Sequence, residues 1–162
     1  LPEGHDPDDL IVVGPDVGQW VFTHLKVIEP PKPKFCIPGP FTKDSTDHSF
    51  LTASYNPVNR TIEIDYARNA SASPLLGGAA PVLILENEYS DSALASPGFK
   101  CFTKISDFIM AGLEYTDGTY DHYTCNFVLP QEYSPDDVIV VVMEFTSSDF
   151  ESTLYTYLAT WG

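Results

Sequence analysis

The chain has 162 residues and sets 8 Lys plus Arg against 23 Asp plus Glu, a formal charge of -15 with neutral histidines. A length of this order buries about 70% of the unfolded surface in one core, so residues 1–162 read as a single domain needing neither metal nor disulfide to fold. The charge excludes nucleic acid and anionic lipid as partners, because a cationic face is needed to displace their counterions. The longest apolar run, Val138 to Met143, is far shorter than a membrane-spanning helix.

In chain order, the segment from Leu1 lacks a basic region followed by an apolar core, so the chain reads as an excised or processed domain. Leu10 to Val13 reads as a first strand. From Trp20 to Ile28, Val21, Leu25 and Val27 alternate with His24 and Lys26, the period of a half-buried strand. Pro30, Pro31, Pro33, Pro38 and Pro40 then exclude a helix or a central strand, leaving an extended, polyproline-like connection over residues 30–40 laid across the sheet. Phe50 to Tyr55 and Arg60 to Ala67 form a hairpin across Asn56-Pro57-Val58-Asn59, with Ile62, Ile64 and Tyr66 on one face of its second arm.

Pro81 to Glu88 and Phe99 to Thr103 follow as strands. Ile105, Phe108, Ile109 and Leu113 fall at helical spacing after Ser106-Asp107 and predict a short helix, weakened by Gly112. Glu114-Tyr115 and Tyr120-Asp121 flank Thr116-Asp117-Gly118-Thr119, a hairpin signal because glycine accepts positive φ. Tyr120 to Leu129 continues as a strand, and Ser134-Pro135-Asp136-Asp137 reads as a turn. Val138 to Phe145 is apolar on both faces, as suits a central strand covered on each side, and Thr153 to Trp161 is the last strand. Many short strands and frequent Gly and Pro turns predict an all-β fold: an antiparallel sandwich, jelly roll or small barrel with at most one or two short helices.

The charge is unevenly placed. From Ile105 to Gly162 there are ten carboxylates and no lysine or arginine, yet the run is too hydrophobic for a disordered acidic tail, so it reads as a folded anionic β surface. Cys36, Cys101 and Cys125 are widely spaced; one pair plus a free thiol and three buried free thiols stand equally open. Two sequons occur, Asn59-Arg60-Thr61 and Asn69-Ala70-Ser71. His5-Asp6-Pro7-Asp8-Asp9 has carboxylates but neither the glycine nor the terminal glutamate of an EF-hand, and it reads as a solvated entry segment.

No serine-nucleophile elbow, zinc-binding H-E-x-x-H or phosphate-binding loop is present, which leaves no expected cofactor, metal site or catalytic residue. His48 and His122 each follow carboxylates, in Asp44-x-x-Asp47-His48 and Asp117-x-x-x-Asp121-His122, and both read as loops. An acid hydrolase using Gln19 or Gln131 with a glutamate would need two acidic or amide groups sharing a cleft. Recognition is better supported. Tyr115, Asp117, Tyr120, Asp121, His122, Tyr123, Asn126 and Tyr133 gather around one hairpin, and aromatics beside Asp and Asn suit sugar stacking or protein contact. Tyr155, Tyr157 and Trp161 alternate on the last strand, as core or as a contact between copies.

In its Pro-rich entry from Pro30 to Pro40 and its hairpin strands, Thr52 to Ala67 and Tyr115 to Leu129, the chain resembles the protruding domains of small non-enveloped RNA virus capsids, including those of insect viruses. The resemblance implies an outward-facing module on the virion surface. Such a module forms a dimer or trimer with itself, binds a host receptor protein or glycan, keeps its cysteines reduced and carries no glycan on Asn59 or Asn69. A secreted carbohydrate-binding or adhesion module is the alternative, to which a disulfide or a glycan would point.

Overall fold

A computed structural model describes residues 11–16, 19–24, 34–146 and 149–160. The acidic opening His5 to Asp9, the residues Leu10, 25–28, Pro30, Pro31 and Pro33, and Trp161 lie outside them. Two compact units divide the chain at Lys32 and Pro33. The first holds an antiparallel hairpin of β1 (Ile11–Asp16) and β2 (Gln19–His24), with Ile11 opposite His24 and Asp16 opposite Gln19.

In chain order, the second unit contains β3 (Lys34–Gly39), β4 (Thr42–Lys43), β5 (Ser49–Asn56), β6 (Thr61–Asn69), β7 (Ala79–Glu86), α1 (Asp91–Leu94), β8 (Gly98–Thr103), β9 (Ile109–Thr116), β10 (Tyr120–Val128), β11 (Val138–Phe145), β12 (Phe150–Thr156) and β13 (Ala159–Thr160). The expected all-β class holds, and the architecture is one curled sheet in the order β13-β5-β6-β10-β9-β7-β11-β12-β4 beside a β3–β8 pair.

The curl follows from strand parity. The seven long strands β5, β6, β10, β9, β7, β11 and β12 are each antiparallel to the next, so the first and last run the same way. Their edges can meet only as parallel partners. Two short strands make that seam: β4, just before β5, pairs in parallel with β12, and β13, just after β12, pairs in parallel with β5. Asp44 fastens it. Its N–H donates to Tyr155 O at 2.9 Å, its carbonyl accepts Leu51 N–H at 2.7 Å, and its carboxylate accepts Thr156 Oγ1 at 2.7 Å.

Period-two alternation fills the curl. Leu51, Ala53 and Tyr55 from β5 meet Ile62, Ile64 and Tyr66 from β6, and Val138, Val140, Val142 and Leu154 face them from β11 and β12. A second apolar layer covers the other side of β7 and β11: Leu83, Leu85, Ile139 and Val141 pack against Ile37 of β3, Phe102 of β8 and Leu94 of α1. Val138 to Met143 is thus covered on both faces, as its unbroken apolar run predicts.

The described part of the proline-rich connection, from Lys34 onward, is part of this second layer. Lys34 to Gly39 forms an edge strand that tolerates Pro38, since an edge strand's outward N–H groups need no partner in the sheet. Cys36 and Cys101 face each other across this pair and form a disulfide, while Cys125 is free. Gly39 is required for a close approach: a Cβ there would sit 2.7 Å from Ser96 O and 2.9 Å from Gly98 O. The short helix expected after Ser106-Asp107 is absent. Residues 109–116 are β9, whose pairing with β7 and β10 overrides the helical spacing, and Ile105 and Ile109 still reach the inner core. The helix that does form, α1, is four residues long and is capped by Ser90, whose hydroxyl accepts Ala93 N–H at 3.2 Å.

The disulfide closes a loop between residues 65 apart in sequence, and chain-entropy reasoning values that closure at roughly 4 kcal/mol. Denaturant unfolding of a Cys36→Ser, Cys101→Ser double variant is expected to show a loss of this order. An unchanged midpoint would refute the structural role assigned to the bond.

Candidate functional site

Two polar constellations stand out, one on the outer face of β5–β6–β10 and one inside the curl. The outer face is set by register. Thr52, Asp65 and Thr124 lie side by side across the three strands, and Ser54, Glu63 and Asn126 form the next row. These residues floor an open groove of about 520 Å³, with Ala159 of β13 on one side and Glu114 of β9 on the other. Glu114 reaches it through a bulge: His122 pairs with Tyr115 and Tyr123 with Leu113, so Glu114 is the extra residue of β9. The groove is lined by carboxylates, hydroxyls and an amide, and no cation is among its lining residues.

His122 stands at the Asp65 end. Its register partners are Tyr115 on β9 and Ala67 on β6. Tyr115 stacks on the imidazole with ring centroids 4.3 Å apart and planes 7° from parallel, leaving its other side open at 49% exposure. On the β6 side, the small Ala67 lets Asp65 reach diagonally, so that Nδ1 of His122 lies 2.9 Å from Asp65 Oδ2. Nε2 lies 2.8 Å from Asp117 Oδ2 in the β9–β10 turn. Asp117 also closes that turn, its Oδ1 accepting N–H from Thr119 at 2.9 Å and from Tyr120 at 2.7 Å, while Gly118 supplies the positive φ.

These bonds set the ionisation. The two backbone donors and His122 hold the Asp117 carboxyl down to about 2, the Tyr120 N–H being the largest influence. The hydrogen bond to Asp117 raises the pKa of His122 most, burial opposes it, and Asp65 adds to the rise. When protonated, His122 donates to both carboxylates and ties the hairpin tip to β6.

The structure separates the eight residues expected to form one surface. Tyr115, Asp117, His122 and Asn126 share the outer face, and Tyr120 is half-buried against Phe50, with centroids 5.1 Å apart. Asp121 is half-buried at the Thr116 pair. Tyr123 and Tyr133 belong elsewhere. Tyr123 is 8% exposed because its phase on β10 points inward onto Tyr66, and Tyr133 packs against the inner core in the loop held by Arg60, which donates to its carbonyl at 2.6 Å. On β12, Tyr155 is buried, and both it and Tyr157 donate to Asp91 Oδ1, at 2.8 and 2.6 Å. That engages the two hydroxyls within the chain. Burial, then Asp91, pushes Tyr157 up to about 12.

The inner constellation was not singled out from sequence, although its phase marks it. Ile62, Ile64 and Tyr66 continue inward to Arg68, and Val138, Val140 and Val142 continue to Glu144. A charge at a core-phase position is the signal that could have found both. Glu144 is fully buried. Its Oε2 accepts Ser49 Oγ at 2.8 Å, Arg68 Nη1 at 2.9 Å and the Tyr66 hydroxyl, and its Oε1 accepts the Ser152 hydroxyl. Burial, then Glu144, holds the Tyr66 phenol protonated well above its usual range. Arg68 reaches Glu151 Oε2 at 3.2 Å and bonds the Ser73 carbonyl through Nε and Nη2.

His48 Nε2 lies 3.3 Å from Glu144 Oε2 and 3.2 Å from Glu151 Oε2 without meeting either in hydrogen-bond geometry. His48, Glu144 and Glu151 are close enough to share a metal ion, but Arg68 already pairs with both carboxylates, and a dication beside a guanidinium would be repelled. The same guanidinium bridges the only carboxylate pair in this cluster that could have served an acid hydrolase. With Glu144 and Arg68 fully engaged and His48 Nε2 left without a hydrogen bond, the arrangement is a polar plug at one end of the core.

No family model, curated protein or solved structure matches this chain.

Replacing Arg68 with Met strands the Glu144 charge in the core and is expected to cost about 3–5 kcal/mol, whereas adding Glu144→Gln to that variant recovers part of the loss. Unfolding curves for the single and double variants check this. A double variant weaker than the sum of both single losses would contradict it. For His122, the raised native pKa means its stabilisation is complete below about pH 6.5, the unfolded value, and is lost as pH rises through the native value. The stability margin of the parent over His122→Gln should therefore shrink between mildly acidic and alkaline pH. A margin that grows with pH would reverse the assignment.

Proposed function

We propose that this chain is a non-enzymatic recognition module working outside the cell, with the outer face of β5–β6–β10 as its contact surface. The observation that carries the reading is the groove itself. Two rows of alternating hydroxyl, carboxylate and amide groups lie beside a half-exposed tyrosine that is already fixed by stacking on His122. A sugar ring needs this combination: an aromatic plane for its C–H face and several acceptors for its hydroxyls. The tyrosine loses little freedom on binding because His122 holds its ring from behind.

The Cys36–Cys101 bond favours a secreted carbohydrate-binding or adhesion module over a capsid protrusion, since such bonds persist in oxidising surroundings and the capsid reading expects reduced thiols. The capsid reading otherwise shares the same contact face. Its support is the resemblance in the hairpin strands, with a host receptor or glycan as partner and a dimer or trimer as the assembled form. Nucleic acid and membrane insertion fit neither reading, given the formal charge of -15.

A glycan array at near-neutral pH, followed by titration of the best ligand, tests the proposal. Tyr115→Ala and Glu63→Gln are each expected to weaken binding by roughly tenfold or more, with thermal stability little changed. If no glycan binds, or if both variants bind as the parent does, the outer face is not the site.

A further inference from the structure

The geometry points to Asn59 as an N-glycosylation site. Asn59-Arg60-Thr61 lies in the β5–β6 turn, where Asn59 is exposed and its neighbour Val58 is 92% exposed, so the turn has room for a large substituent. Asn59 Oδ1 accepts the Thr61 N–H at 3.1 Å, which leaves Nδ2, the atom that carries a glycan, outside that bond. The Thr61 hydroxyl lies over the same turn, 3.5 Å from the Asn59 carbonyl. Arg60, with φ of 56°, turns back so that its guanidinium bonds the carbonyls of Leu129, Pro130 and Tyr133. The middle residue of the sequon therefore points into the protein and the asparagine out of it.

The second sequon contrasts with this. Asn69 is half-buried at the end of β6, pairs with Tyr120, and donates its N–H to His48 O at 2.7 Å. Its Oδ1 accepts both the N–H and the hydroxyl of Ser71, at 2.9 and 2.6 Å, so this carboxamide is tied to its own sequon hydroxyl in a surface turn. Asn59 alone has the exposure a glycan needs in the folded chain.

The assignment rests on the extracellular reading above, because the disulfide fits the oxidising compartment where the transfer occurs. In that step Nδ2 forms a bond to the anomeric carbon of an oligosaccharide carried on a lipid diphosphate. The glycosyl–phosphate bond breaks, the lipid diphosphate leaves with the electron pair, and Nδ2 gives up one proton. Asn59 itself lies in the turn beyond the Ser54–Glu63–Asn126 row.

The test is the full chain secreted from cultured animal cells behind a leader, compared before and after peptide N-glycosidase, with free thiols counted on the same sample. The parent and Asn69→Gln should each lose the mass of one glycan. Asn59→Gln and Thr61→Ala, which remove the acceptor and the hydroxyl separately, should lose none. An unshifted parent, or a shift that survives in Asn59→Gln, overturns the inference. The thiol count separates the two ideas: one free thiol leaves the extracellular reading standing without the glycan, whereas three would remove that reading too.

Discussion

The parallel seam between β12 and β5 is the constraint on which the rest of the structure depends. Seven strands joined by six antiparallel steps leave two edges that run the same way, and an open edge in a sheet this apolar would invite pairing with other chains. The chain resolves this with two-residue strands, β4 and β13, placed where the long strands begin and end. Closing the sheet brings Ser49 of β5 and Ser152 of β12 onto the same carboxylate, Glu144. The same closure puts Ala159 beside Ser54, so the wall of the outer groove is also a product of the seam.

Much of this was legible in the sequence. The run Val138 to Met143 announced a strand covered twice, and Asn56 to Asn59 and Thr116 to Thr119 announced two hairpins, because these signals are local: periodicity, glycine, and turn residues between apolar arms. Less visible was what depends on partners far along the chain. The helical spacing of Ile105, Ile109 and Leu113 is real, but β7 pairs with residues 109–112 and β10 with residues 112–116, and that pairing decides the outcome. Tyr123 looked like a surface aromatic because register sets its face, and the bulge at Glu114 sits directly beside it. The disulfide was one of two open possibilities, since facing positions on β3 and β8 cannot be read from spacing over a gap of 65 residues.

The cation-free stretch from Ile105 onward gains its counter-charges from earlier in the chain. Arg68 serves Glu144 and Glu151, and Lys104 reaches Asp107 at 2.9 Å. His122 joins Asp65 to Asp117 within the sheet itself. Glu63 and Glu114 line the groove with no cation beside them, so the proposed contact face carries a local negative charge.

The third cysteine shows how an odd number of thiols can coexist with one stable bond. Cys125 lies half-buried on β10 against the inner core, and burial pushes its thiol up to about 11. Only the thiolate attacks a sulfur–sulfur bond, and burial keeps this thiol protonated at neutral pH. The Cys36–Cys101 pairing is therefore shielded from reshuffling by the weak acidity of its would-be competitor.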